Sequence, residues 1–259
     1  MTEEATGREG VFERAFKLLE CFTADEPIQS AAEIAHRTGL PLSSVHRILA
    51  KLLAVGFVEK VRPQRYAVGI RLWRIGELSP MLLHLRETAL PHMLRLYEAT
   101  GENVQLAVLD GGAPRTSRAL YIARAAGVSS VPTLTRVGGR FPLHTTGVGK
   151  ALLAAQDEVW ISDYIGGGLA PETRQSLTDG RELRADLEKT RTRGYAVTRD
   201  EMSLRTSSVA VAFEAVAFLP AAAIGVVTES TRFRERELSA MVLATSQHLN
   251  AVLRESFDR

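Results

Sequence analysis

The sequence predicts an α/β chain of the α+β kind in three parts: an N-terminal winged helix-turn-helix domain over residues 8–70, a linker helix over 71–85, and a C-terminal domain of strands and helices over 86–259. Three observations predict it. From His36 to Arg74 stand eight lysines and arginines against Glu59 alone, a local +7 in a chain whose formal total is +2. Within that basic block a helix-turn-helix spacing is followed by a hairpin pattern. Beyond Gly101 short apolar-alternating runs are separated by helical ones, the pattern of a mixed domain.

A chain of 259 residues with 45% apolar and 24% charged residues can bury a sizeable core in each of two domains. The single Cys21 excludes an intramolecular disulfide framework and fits a reducing compartment. No apolar run approaches the roughly 18 residues that span a membrane. The opening MTEEATGREG is acidic and polar, unlike a signal peptide, so a cytoplasmic protein without membrane contact is expected. Outside the basic block the chain is mildly acidic, so polyanion binding is expected of one end only. A solvated basic face is the plain alternative.

Val11, Phe12, Ala15, Phe16, Leu18, Leu19 and Phe22 recur at helical spacing and predict a first amphipathic helix, with Cys21 in its core. Ala31–Arg37 predicts a second, short helix. Gly39 suits a left-handed cap after it, and Pro41 cannot extend it. A third helix is predicted over Leu42–Leu53. At about 100° per residue Val45, Ile48, Leu49 and Leu52 share one face; Ser43, Arg47, Ala50 and Lys51 share the opposite one, flanked by Ser44 and His46. Ser43 is either a cap of that helix or a DNA contact. Ala35, Gly39 and Val45 keep helix-turn-helix spacing: a small residue for close approach, a glycine for the turn, a branched residue to lock the second helix. Gly56–Val61 and Arg65–Val68 then predict two strands around Arg62-Pro63-Gln64, a hairpin with Arg62, Gln64 and Arg65 projecting from its tip. Such a helix fits a major groove and such a tip a minor groove or backbone. The candidate contacts to a double-stranded DNA operator are therefore Ser43, Ser44, His46, Arg47, Lys51, Arg62, Gln64 and Arg65, with Arg47 foremost.

Arg71–Leu78 continues at helical spacing until Pro80, and a further helix from about Leu82 to Ala99 ends at Gly101. Val104, Leu106 and Val108 alternate into a strand that turns at Asp110-Gly111-Gly112 and returns over Ala119–Ala123. Asp179-Gly180-Arg181-Glu182 has the form of a capping box, opening a helix that Gly194 ends. Tyr195–Thr198, Ser208–Phe213 and Ala221–Thr228 predict three more strands, and Arg234–Phe257 an amphipathic closing helix.

Between these elements lies RFPLHTTGVGK, Arg140–Lys150, just ahead of the apolar run ALLAA. A phosphate loop would need glycine where His144 stands and a hydroxyl where Ala151 stands, so no metal-bound nucleotide site is expected here. No G-x-S-x-G, H-E-x-x-H or pair of cysteines occurs, and the six histidines are scattered. No catalytic residue, cofactor or metal is expected. What remains is a helix N-terminus, capped by Thr145 or Thr146, whose N–H groups over Gly147–Gly149 face outward to an anion such as a carboxylate. A helix start without a ligand is the plain alternative.

FERAFKLLECF, EIAHRTGLPLSSVHRILAKLLAVGFVEK and RYAVGIRL resemble the N-terminal domain of the isocitrate lyase regulator (IclR) family of bacterial transcription factors. GENVQLAVLDG, RVGGRFPLHTTGVGKALLA and RGYAVTRDE resemble segments of that family's effector domain, so the likeness covers roughly residues 11–255. The resemblance implies a GAF- or PAS-like effector-binding domain, an antiparallel sheet with helices packed on it. It also implies a connecting helix with dimer contacts, although Trp73 could equally pack within one subunit. A small organic acid is implied to bind beside the central loop, in a pocket drawing on Thr146, Gly147, Val148, Thr198, Ser208, Gly225 and Val227, with Gly149 completing the clamp. Members that sense two- or three-carbon acids tend to carry an acidic residue at Thr198, a cysteine at Ser208, and serines at Gly225 and Val227. The departures imply a roomier, more apolar pocket, suited to an aromatic or longer-chain acid. Arg205 stands where a glycine is usual and Ala212 where a proline is usual; Arg205 is a candidate partner for the ligand carboxylate. The expected function is a ligand-responsive regulator that binds a roughly palindromic operator as a homodimer or dimer of dimers, and not an enzyme. The alternatives are a metabolite-handling enzyme with a vestigial DNA-binding head, which would turn over an acid, and a pure ligand-binding protein, which would lack sequence-selective DNA binding.

Overall fold

The structure is a computed structural model that describes residues 10–23, 25–127, 130–213 and 219–257. The amino-terminal stretch read above as unlike a signal peptide lies outside these residues but for Gly10. The chain divides into two compact units between Ser79 and Pro80, inside the 71–85 stretch expected to be a linker.

In the first unit the elements run α1 Val11–Leu19, β1 Gln29–Ser30, α2 Ala31–Thr38, α3 Leu42–Ala54, β2 Val58–Arg62, β3 Arg65–Val68 and α4 Ile70–Gly76. Ser30 caps α2 by accepting from the Glu33 N–H, and the Glu33 carboxylate accepts from the Ser30 N–H in return. Gly39, at φ 70°, ends α2 in the left-handed conformation, and Pro41 precedes α3. Leu18, Ile34, Val45, Leu49 and Val58 are fully buried and hold α1, α2, α3 and the wing together, with Cys21 beside them. The two-residue β1 pairs with β3, so the wing is a three-stranded antiparallel sheet in the order β1-β3-β2. Periodicity cannot reveal a strand that short.

One expectation for this unit is corrected. Ser43 does not cap α3: the N-cap position is Pro41, which has no side-chain bond to give, and Ser43 is an exposed first-turn residue. The apolar stripe of α1 is only partly core, because Phe12 and Phe16 remain 82% and 65% exposed.

The second unit is built on a six-stranded, wholly antiparallel sheet. It comprises α5 Pro80–Thr100, β4 Asn103–Asp110, β5 Arg118–Ala125, β6 Arg140–Phe141, α6 Gly147–Ala154, α7 Glu158–Gly166, α8 Gly180–Arg193, β7 Ala196–Arg199, β8 Thr206–Ala212, β9 Ala222–Glu229 and α9 Glu235–Phe257. The strand order is β6-β5-β4-β9-β8-β7. Alternation decides the layers. Val104, Leu106 and Val108 of β4, with Val209 of β8 and Ile224 and Val226 of β9, pack against α5 and α9. Ala107, Ala196, Ala210 and Ala223 face the other way, toward α6 and α8. That second face is lined with alanines, so α6 can lie close to the sheet. Asp179 caps α8 by accepting from the Arg181 and Glu182 N–H groups, without the reciprocal glutamate bond of a full capping box, and Gly194 closes the helix at φ 81°. Among the described residues, no helix is long and apolar enough to cross a membrane.

Candidate functional site

α3 buries Val45, Ile48, Leu49 and Leu52, which turns Ser43, His46, Arg47, Ala50 and Lys51 outward. Ser44 is half-buried on the flank. Three of the eight cations in the basic block are engaged within the unit. Arg37 pairs with Glu26 and donates to the Cys21 carbonyl, Arg71 donates to the Val55 carbonyl at 3.1 Å, and Arg65 donates to Glu33 at 2.6 Å. Arg47, Lys51, Lys60 and Arg62 have no ion-pair partner among the described residues and are exposed. At the wing tip Pro63 is followed by Gln64 at φ 57°, the pattern a type II turn requires, and Arg62 and Gln64 are exposed there. Arg65 does not project from the tip as expected. The β1–β3 register sets it opposite Ser30, within reach of the capping carboxylate of Glu33. The Ser30 N–H and hydroxyl, and then Arg65, hold Glu33 below the ordinary carboxylate range.

The second site lies on the alanine-lined face of the sheet, where Gln105, Tyr121, Thr198, Ser208, Gly225 and Val227 interrupt the packing and meet the first turn of α6. Thr146, rather than Thr145, is the N-cap. Its Oγ1 accepts from the Gly149 N–H at 3.2 Å and donates to the Pro142 carbonyl at 3.0 Å. The N–H groups of Gly147 and Val148 have no acceptor among the described residues, and both residues line the cavity. Such amides at the positive end of a helix favour an anion. The opposite wall carries Met202, Ser203, Thr206 and the pair Thr198–Ser208, whose hydroxyls are 2.5 Å apart. A strap over residues 130–139 forms the rim. Asn103 Nδ2 donates to the Val131 carbonyl at 2.6 Å, Gln105 to the Thr135 hydroxyl, and the Gly138 N–H to the Tyr121 carbonyl at 2.8 Å. The walls enclose about 440 Å³ of unfilled space including the mouth, of which about 30 Å³ is wide enough to centre a water molecule. No lining side chain is a carboxylate, lysine, arginine or histidine.

Seven of the nine expected effector residues thus meet at one cavity: Thr146, Gly147, Val148, Thr198, Ser208, Gly225 and Val227. Gly149 does not line it. Its N–H is taken by Thr146, and a Cβ there would lie 2.5 Å from the Leu143 carbonyl oxygen, so this glycine admits the preceding loop rather than a ligand. Arg205 does not line it either. It sits at φ 66° in the turn between β7 and β8, its side chain 81% exposed and paired with Glu229 at 2.7 Å. Glycine at position 225 does not itself open space in the cavity. The space at Gly225 is filled by the neighbouring strand and α6, since a Cβ there would lie 2.8 Å from Ala210 Cβ and 3.2 Å from Val148 Cγ1. Gln105, Thr133, Thr135, Ser203, Thr206 and Ser207, on elements the carried-over positions did not include, make the walls rich in hydroxyls.

Four buried polar side chains frame the loop. His144 bridges the Tyr164 hydroxyl at 2.8 Å through Nδ1 and the Ala170 carbonyl at 3.0 Å through Nε2. The Tyr164 oxygen already accepts from the Leu143 and His144 N–H groups, so its proton goes to Nδ1 and the imidazole is the neutral Nε2–H tautomer. Burial lowers the His144 pKa in keeping with that assignment, and likewise pushes the Tyr164 phenol up. Burial also raises the Tyr121 phenol, against its hydrogen bond with Thr146, and Tyr121 lines the cavity as an uncharged group. Lys150, the last residue of the central loop sequence, is 1% exposed, with Asp186 and Glu201 as partners. Burial pushes the Glu201 carboxyl up against the pull of Lys150. The described residues contain no group of three or more histidines, cysteines or carboxylates placed to hold a metal.

Two family profiles match the chain: the IclR helix-turn-helix domain over residues 11–62 and the bacterial transcriptional regulator IclR C-terminal domain over residues 81–251. The transcriptional repressor IclR of Escherichia coli (strain K12) is 30% identical over 253 residues, covering 96% of this chain and 91% of that protein. The HTH-type transcriptional regulator BhcR of Paracoccus denitrificans is 31% identical over 240 residues, covering 92% and 84%. The crystal structure of an IclR homolog from Microbacterium hydrocarbonoxydans complexed with 4-hydroxybenzoate superposes with a TM-score of 0.84 at 27% identity, over 95% of this chain and 100% of that one.

Proposed function

The chain belongs to the IclR family of bacterial transcriptional regulators, and from that premise we propose that it is a cytoplasmic repressor released or recruited by a singly charged, hydroxylated aromatic carboxylic acid. It is a DNA-binding regulator and not an enzyme. On this reading α3 enters the major groove with Arg47 reading bases and Ser43, His46 and Lys51 on bases or phosphates, with Ser44 at the edge. Arg62 and Gln64 at the wing tip reach the flanking backbone or minor groove, while Arg65 braces the wing. The domains fall at 8–70 and 86–259, with a connecting segment between them.

The observation that carries the effector class is the cavity itself, two unpaired helix N-terminal amides in walls without ionised side chains. The Gly147 and Val148 amides donate to one carboxylate. A second carboxylate would be buried without a cation and an ammonium without an anion, each at a cost of several kcal/mol. The hydroxyl-bearing wall suits a polar substituent at the far end of the ligand, and the homolog with 4-hydroxybenzoate bound offers an acid of that form. So little of the cavity is wide enough for a ligand that the acid selects a conformation with the walls parted. That difference between two forms is what a regulator requires to transmit occupancy.

A homodimer on a palindromic operator, or a pair of dimers, is supported by apolar surface that the first unit leaves uncovered. Phe12 and Phe16 of α1 and Ile70 and Trp73 of α4 are all more than half exposed, more large apolar area than an isolated small domain presents without a partner. A thermal-shift panel tests the effector class. 4-Hydroxybenzoate and related monocarboxylates are expected to raise the melting temperature. Phthalate, with a second carboxylate, and 4-hydroxybenzamide, without any, are expected not to. A ligand at a hundred times its Kd adds about 2.7 kcal/mol of stability. An equal response to the amide would remove the anion from the proposal.

A further inference from the structure

Lys150 heads the largest side chains that are fully buried in this protein, and it is held by two carboxylates from different elements. Its Nζ lies 2.8 Å from Asp186 Oδ2 on α8 and 2.9 and 2.7 Å from the two oxygens of Glu201, in the turn after β7. A buried ion cluster is seldom needed for stability alone, because well-packed apolar residues of the same volume serve as well or better. What distinguishes this one is its position. Lys150 sits one turn along α6 from Gly147, which lines the cavity, and Glu201 directly precedes Met202 and Ser203, which line it as well. The turn at 200–203 is tied down on its other side as well: Thr173 Oγ1 donates to the Asp200 carbonyl at 2.6 Å, and Ser176 Oγ to the Glu201 carbonyl at 2.7 Å.

We infer that Lys150 is a positioning residue for the effector: its ammonium, clamped between Asp186 and Glu201, fixes the distance between the α6 amides and the Met202–Ser203 wall. This inference rests on the effector reading above. An ammonium is a compact charge with three donors, and it holds two carboxylates on separate elements only while both stay within hydrogen-bond reach of one Nζ. An apolar side chain would fill the volume while letting the wall drift, and preorganised contacts lose affinity when their support loosens.

The test replaces the cluster in the full-length protein. Lys150→Met alone leaves the buried Glu201 and the half-buried Asp186 carboxylates unpaired and threatens folding, so it is combined with Asp186→Asn and Glu201→Gln. Hydrogen exchange read by mass spectrometry over residues 147–154 and 200–203 is expected to quicken by roughly tenfold or more in the triple variant, while β4 and β9 exchange as in the parent protein. Affinity for 4-hydroxybenzoate is expected to fall about tenfold, the loss that displaced contacts would give. Unchanged exchange in both stretches would overturn the inference, as would unchanged ligand affinity in a variant whose stretches have loosened. A parent protein that binds neither 4-hydroxybenzoate nor benzoate while the exchange contrast appears would leave the strut supported and overturn the proposed effector class instead.

Discussion

Arg47 is available because other residues take no part of its charge. It stands on the outward face of α3 beside Ser43 and Lys51, with no acid near enough to pair, whereas Arg37, Arg65 and Arg71 are spent on the unit's own carbonyls and carboxylates. Arg47→Ala is therefore expected to weaken specific operator binding by about 1–3 kcal/mol per half-site if the contact is bidentate to guanine. A gel-shift titration with unchanged affinity would take α3 out of the groove. The division between free and engaged arginines was not legible in the sequence, because Glu33 lies 32 positions from Arg65 and only the wing register brings them together. His144 gives a residue-scale prediction of another kind. Its folded pKa is depressed below the ordinary 6.5, so between the two values the unfolded chain binds the extra proton and stability is lost as pH falls through that window. Melting temperatures from pH 7.5 down to 5 are expected to fall for the parent protein and to fall less steeply for His144→Gln. His92, depressed for the same reason of burial, keeps a residual slope in the same direction. Parallel slopes would mean that His144 is not the neutral bridge described.

At the scale of elements, α6 shows how two glycines two positions apart do different work. A Cβ at Gly147 would fall within the radius of the Ser208 hydroxyl across the cavity, while one at Gly149 would meet the Leu143 backbone. Gly149→Ala is thus expected to lower stability by about 1–3 kcal/mol through overpacking, seen as an earlier urea midpoint. Gly147→Val is expected to abolish the ligand-induced thermal shift while operator binding survives. If Gly147→Val keeps the shift, α6 is a plain helix start. The pattern of residues made the helix-turn-helix, the long strands and the closing helix readable, since each repeats its period several times. It could not show β1 and β6, two residues each, nor α7, whose nine residues went unpredicted. Most of the cavity's hydroxyl wall and the Lys150 cluster were missed for the same physical reason: Asp186 and Glu201 are 36 and 51 residues from Lys150, and no local spacing records a contact of that range.

For the whole molecule, two units with distinct surfaces divide the work: one carries exposed cations on α3 and uncovered aromatic side chains, the other an uncharged cavity against a helix N-terminus. Neither surface alone makes a regulator; the claim is that occupancy of the second changes the DNA affinity of the first. The direct measurement is a fluorescence-anisotropy titration against an operator selected from random duplexes, with and without saturating 4-hydroxybenzoate or a related monocarboxylate found by thermal shift. Two or four chains per duplex are expected, with the acid changing the apparent Kd by roughly 5–150-fold, the range of ordinary coupling between sites. One chain per duplex, or a Kd indifferent to an acid that demonstrably binds, would contradict the account.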